Sequence, residues 1–182
     1  MPMVQGSLLA GMQHLTATGN TVGVVVIDEQ SADADTAPES AIETFAQQRV
    51  LLFASRMDYR IWLVELNPNP MNPNLPTRTR LRAVLPIDTP IVTKQQLNAF
   101  TGTNLHNLLQ AAGIGAFVIM GYHVNCCVKQ TAVGGHTGPR NTGPNNPGGT
   151  QSGYLVLTCP EILRGGAAVW WNEAGVRFYE YV

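Results

Sequence analysis

Charge is scarce in this chain: only 13% of its 182 residues are Asp, Glu, Lys or Arg, about half the usual share. Eleven basic and twelve acidic side chains leave a formal net charge of −1. Without a basic surplus, the chain lacks the electrostatic footprint of proteins that live on phosphate backbones or anionic membranes. Neither nucleic acid nor membrane is therefore an expected partner. Long apolar runs are also missing, since Val22–Ile27 and Ala116–Met120 fall far below the roughly 20 residues that span a bilayer. Met1 to Ala10 has no basic segment leading into an apolar one, so no secretory signal is expected. Cysteine is limited to three residues, two of them adjacent at Cys126 and Cys127. That odd number argues against a disulfide framework and for a reducing, cytoplasmic compartment.

What remains is the composition of a globular protein, with 45% hydrophobic residues and a length that suits one domain over 1–182. Val22–Ile27 is β-branched on both faces, as in a strand covered by helices on both sides. Thr36, Pro38 and Glu39 form an N-cap pattern for a helix running to about Gln48. Val50–Ala54 reads as a second strand, and Tyr59–Leu66 as a possible further one. A Pro/Asn-rich excursion near 67–76 cannot be regular structure. Pro90–Thr93 reads as a short strand, followed by a helix that carries Phe100, Leu105, Leu108, Leu109 and Ala112 and ends at Gly113. Ala116–Met120 is a buried strand, and Cys126–Val133 a helix behind it. A Gly/Pro-rich loop near 134–151 precedes the last strands, Tyr154–Leu157 and Val176–Tyr181. The alternation predicts an α/β fold: an open, mainly parallel six-stranded sheet with helices on both faces.

Sheets of this kind place their chemistry at the carboxyl ends of the strands. Three reactive groups stand there: Asp28 after Val22–Ile27, Lys94 after Ile91–Thr93, and a thiol delivered by the turn Gly121–Val128. An ammonium and a helix start favour thiolate over thiol, a nearby carboxylate can take the thiol proton, and backbone amides of the turn can hold an oxyanion. Taken singly, each group also has an ordinary reading as a loop anchor, a solvated lysine or a small core residue.

Three motifs in register resemble the isochorismatase-like cysteine hydrolases, which include nicotinamidases and carbamoylsarcosine-type amidases. They are Val25-Val26-Ile27-Asp28-Glu29-Gln30, then Lys94 with Ala99-Phe100, and Gly121 leading to Cys127-Val128 and Thr131-Ala132. The resemblance implies a Rossmann-like three-layer fold, with Asp28 as general base, Lys94 as positioning cation and Cys127 as nucleophile. It also implies a cis peptide at Tyr122–His123, an oxyanion hole from the His123 and Cys127 amides, and a homo-oligomer, dimer or larger.

The chain departs from the nicotinamidase pattern of an Asp-x-His metal site. Asp58 has no histidine in reach, and His14, His106, His123 and His136 lack ligand-like spacing. No metal and no cofactor are expected. Trp62, Trp170 and Trp171 read as core or interface filler. The implied activity is thiol-based cleavage of an amide or ureido C–N bond in a small molecule, through a thioester. Two rivals stand beside it: a catalytically silent binding or scaffold protein of the same fold, suggested by the illegible Met57–Asp88 stretch, and vinyl ether hydrolysis of the isochorismatase type.

Overall fold

The computed structural model describes residues 3–30, 40–67, 69, 71, 75–135, 146–170 and 172–182. Its centre is a strand buried on both faces. In β2 (Val22–Ile27), Val24 and Val26 enter one core cluster while Val25 and Ile27 enter another on the opposite side. β5 (Ala116–Gly121) behaves identically, with Val118 and Met120 in the first cluster and Phe117 and Ile119 in the second. Period-2 alternation between two apolar layers is why these segments read as unbroken apolar runs.

Seven strands make the sheet, in the order β1-β7-β6-β5-β2-β3-β4. The others are β1 (Val4–Ser7), β3 (Arg60–Leu66), β4 (Ile91–Lys94), β6 (Leu155–Thr158) and β7 (Val176–Tyr181). Every ladder is parallel. The α/β architecture is as expected, with one strand more than six. The additional β1 is a four-residue edge strand containing a glycine, too short to carry a periodic signal. It leads into α1 (Leu8–Ala17), capped by Ser7 Oγ, which accepts from the Ala10 amide at 3.1 Å.

Val50–Ala54 is not a strand. It lies inside α2 (Ser40–Arg56), where Ala46, Val50, Leu51 and Ala54 are buried and Leu52 faces outward. That spacing is helical, and five apolar residues alone do not separate it from a strand. The helix stops at Asp58, whose φ of 56° is left-handed, with the Tyr59 amide bonded to Ala54 O at 2.8 Å, a Schellman closure. The expected cap at Thr36 to Glu39 lies outside the described residues.

The helix read from Phe100 onward is shorter, α4 (Leu105–Ala111), after a four-residue α3 (Thr79–Arg82). Polar side chains claim the backbone ahead of it: Asn98 Oδ1 accepts from the Phe100 amide at 2.9 Å and Thr103 Oγ1 from the Leu105 amide at 3.1 Å. It ends at Gly113, φ 68°, as the sequence indicates. Behind β5 the chain winds as a π-helical turn (Val124–Val128) before α5 (Lys129–Val133). Of the Pro/Asn-rich excursion and the Gly/Pro-rich loop, 68, 70, 72–74 and 136–145 lie outside the described residues. The returning end of the loop docks on α5 through Gly149 N to Thr131 O, 2.8 Å, and Thr150 N to Ala132 O, 2.9 Å.

Candidate active site

Chain connections run outward in opposite directions from the β2–β5 pair, and the crevice beyond the carboxyl ends of such a pair is where open α/β sheets bind ligands. Asp28 follows β2 directly and adopts a left-handed φ of 50°. A non-glycine residue there stores about 1–3 kcal/mol of backbone strain, held in place by its surroundings. Its amide still pairs with Val64 O at 2.9 Å, so the carboxylate leaves a rigid strand end. Lys94 closes β4, in register with Leu66 of β3. Two strand spacings, about 10 Å, separate β4 from β2, a gap that suits the long lysine side chain.

The two side chains meet: Lys94 Nζ lies 2.8 Å from Asp28 Oδ2 and donates to Leu97 O at 2.9 Å. Cys127 occupies the π-helical turn after β5, with its buried thiol close enough to Asp28 and Lys94 to feel both charges. Relative exposures of 1% for Lys94, 4% for Asp28 and 5% for Cys127 leave little water to screen these charges. Burial, and then the Asp28 carboxylate, push the Cys127 thiol well above the ordinary thiol range, against a smaller downward pull from Lys94. The sequence expectation of a favoured thiolate is therefore reversed at rest, because desolvation and the adjacent anion outweigh the ammonium. The arrangement is a buried thiol near a carboxylate that is ion-paired to a buried lysine.

The sharp turn between β5 and Cys127 depends on Gly121. Its φ is 135°, and a Cβ there would run into the Ile27 backbone, one residue from Asp28. The Tyr122–His123 peptide is cis. Hydrogen bonds fix the turn from both sides, with Tyr122 N to Ile27 O at 2.9 Å and Cys126 N to His123 O at 2.9 Å. Among the described residues, neither the His123 nor the Cys127 amide bonds to another element. Cys126 is half-buried beside Cys127, and Cys159 is fully buried in the core. Asn125 clamps the following loop, donating to Ala167 O at 2.7 Å and accepting from the Val169 amide at 3.1 Å. Trp170 is core, its indole donating to Val124 O at 3.0 Å, and Trp62 is core as well.

Gln30, the third residue of the first motif, has a structural task. Its amide group bonds Leu66 N at 2.8 Å and Leu66 O at 3.2 Å, extending the sheet by one side chain. Glu29 is fully buried and ion-paired to Arg78 and Arg164, partners that sequence reading missed. Separations of 49 and 135 residues leave no local signal for such pairs. Among the described residues no group of three His, Cys, Asp or Glu is arranged to hold a metal ion; His136 lies outside them. No described helix is long and apolar enough to cross a membrane.

The family model for the isochorismatase domain matches residues 15–137, a span that contains Asp28, Lys94 and Cys127. The chain belongs to the isochorismatase family. No curated protein matches this isochorismatase-family chain. Among solved structures it is similar to N-carbamoylsarcosine amidase from Thermoplasma acidophilum, at 15% identity, 88% of this chain, 96% of that one and a TM-score of 0.68. It is likewise similar to the nicotinamidase of Staphylococcus aureus, at 16% identity, 89% and 99% coverage and a TM-score of 0.64. A third likeness is an isochorismatase family protein from Burkholderia thailandensis, at 19% identity, 87% and 90% coverage and a TM-score of 0.65. At these identities the likeness is one of fold.

Proposed function

We propose that this isochorismatase-family chain is a cofactor-independent cysteine hydrolase that cleaves the C–N bond of a small amide or ureido compound. The observation that supports the reading is the buried Lys94–Asp28 ion pair at 2.8 Å, with the buried Cys127 thiol within its electrostatic reach. Such a chain of contacts suits activation of a nucleophile that is protonated at rest.

In the proposed reaction Asp28 takes the thiol proton as the sulfur attacks the carbonyl carbon and a C–S bond forms. The His123 and Cys127 amides receive the oxyanion, and one donor of this type is typically worth about 3–4 kcal/mol. Collapse breaks the C–N bond, and protonated Asp28 gives its proton to the departing nitrogen. Water then loses a proton to Asp28 as it attacks the thioester. The acid leaves, and the sulfur recovers its proton from Asp28. Lys94 stays charged throughout and keeps the carboxylate aimed. The Staphylococcus aureus and Thermoplasma acidophilum neighbours, a nicotinamidase and an N-carbamoylsarcosine amidase, favour this substrate class. A cytoplasmic homo-oligomer is part of the same proposal.

The test is a screen of small carboxamides and ureido acids for ammonia release, with wild type and Cys127→Ala side by side. The reading expects release by wild type alone. Release that survives Cys127→Ala overturns it, and ether cleavage under the same condition would assign the isochorismatase-type reaction instead.

A further inference from the structure

One carboxylate beside the site has a different set of partners. Glu29 follows Asp28 in sequence, is fully buried, and points into a cluster drawn from four separate segments. Its Oε2 lies 2.6 Å from Arg78 Nη2 and 3.0 Å from Arg164 Nη1. Its Oε1 accepts from Gln47 Nε2 at 2.7 Å. Arg78 in turn reaches Thr44 Oγ1 at 2.9 Å.

Arg164 is the informative member because its backbone is bound to the nucleophile turn. Its amide donates to Gly121 O at 2.9 Å, and its carbonyl accepts from the Val124 amide at 2.8 Å. Those two bonds straddle Tyr122 and His123. Its guanidinium meanwhile grips the residue adjoining Asp28. A buried ion pair adds little net stability over a packed apolar substitute, since desolvation offsets the attraction. What guanidinium and carboxylate supply is direction.

We propose that Glu29 and Arg164 are positioning residues, a buried pair that fixes the Asp28 carboxylate against the turn carrying Cys127. The inference rests on the proposed Asp28–Cys127 proton transfer and adds what holds the two groups in line.

The test follows iodoacetamide labelling at about pH 7, with peptide mapping to isolate Cys127 from Cys126 and Cys159. Labelling of a protonated, buried thiol draws on Asp28 as base, so it reports the alignment without needing a substrate. Glu29→Gln and Arg164→Lys should each slow labelling at least about tenfold, within the ~100-fold that a 1 Å misplacement can cost. The sign separates position from charge. The titratable groups acting on Cys127 are Asp28, Lys94 and Cys126; removing a further anion, Glu29, from their neighbourhood favours thiolate and would by itself speed labelling. Arg164→Lys keeps its charge. Thr44→Val, which breaks only the outer Arg78 contact, should lower stability and leave the labelling rate at the wild-type value. Should a single variant fail to fold, the pair Glu29→Gln/Arg164→Gln, which removes both charges together, should show the same slowing. Wild-type or faster labelling in folded variants overturns the inference and leaves the hydrolase reading standing. A wild-type Cys127 that does not label overturns both.

Discussion

Lys94 Nζ lies 2.8 Å from Asp28 Oδ2, with both side chains almost completely shielded from water. The pair joins an edge strand to the centre of the sheet across β3, and it faces the thiol of Cys127. Removing one partner of a buried pair costs far more than the pair contributes, because the charge left behind has lost its compensation.

Lys94→Met should therefore lower folding stability by about 3–5 kcal/mol. The double variant Asp28→Asn/Lys94→Met should recover a large part of that loss, since no charge then remains to be compensated. Urea unfolding of the two variants and wild type measures both. A Lys94→Met cost no larger than that of the double variant would contradict the coupling.

Two thiols should make the fold sensitive to alkali. An unfolded cysteine ionises near pH 8.5, whereas burial, with Glu161 alongside, pushes Cys159 up to about 12, and Cys127 is raised as well. Below about pH 8.5 both states are protonated and the stability is complete. As the pH climbs, only the unfolded chain releases protons, so stability falls, by up to about 1.4 kcal/mol per thiol per pH unit. Urea midpoints from about pH 8 to about pH 10.5 should decline, and Cys159→Ala and Cys127→Ala should each flatten the decline. An unchanged slope in both variants contradicts the burial reading.

Cysteine substitutions should separate the doublet. Cys127→Ser should abolish amide turnover with its thermal midpoint close to wild type, while Cys126→Ser, a near-isosteric change at a half-buried position, should leave turnover within about twofold. Ammonia release and a thermal melt decide it. Loss of turnover in Cys126→Ser alone would move the nucleophile by one residue.

Gly121→Ala should be among the more damaging changes to the turn. The added methyl meets the Ile27 backbone at a φ of 135°, where neither atom belongs to a flexible side chain. A cost of about 3 kcal/mol, with loss of Cys127 labelling, is expected from strain and overpacking together. A thermal melt within one or two degrees of wild type would show that the β2–β5 approach is looser than described.

The centre of the fold was legible because Val22–Ile27 and Ala116–Met120 pack on both faces, and such burial leaves unbroken apolar runs. The positions of Asp28, Lys94 and the Cys127 turn follow from the same logic, each at the end of a strand. Val50–Ala54 reads as a strand in sequence but is helical, because the exposed Leu52 sits within a run whose helical neighbours start at Ala46. β1 escaped notice because an edge strand with one paired neighbour needs no apolar alternation. The Glu29 cluster was invisible for a different reason: its members share no period, and only the folded chain brings Arg78 and Arg164 to one carboxylate. The direction of the Cys127 shift was also beyond sequence reading, since it depends on how fully the site is buried.

The most direct measurement is the mass of the protein during turnover. Wild type mixed with a hydrolysed amide, quenched in acid and digested, should carry the acyl group as a thioester on the peptide containing Cys127, and Cys127→Ala should carry none. Turnover with no acyl mass on that peptide, and with Cys127→Ala equally active, would contradict covalent catalysis by this cysteine.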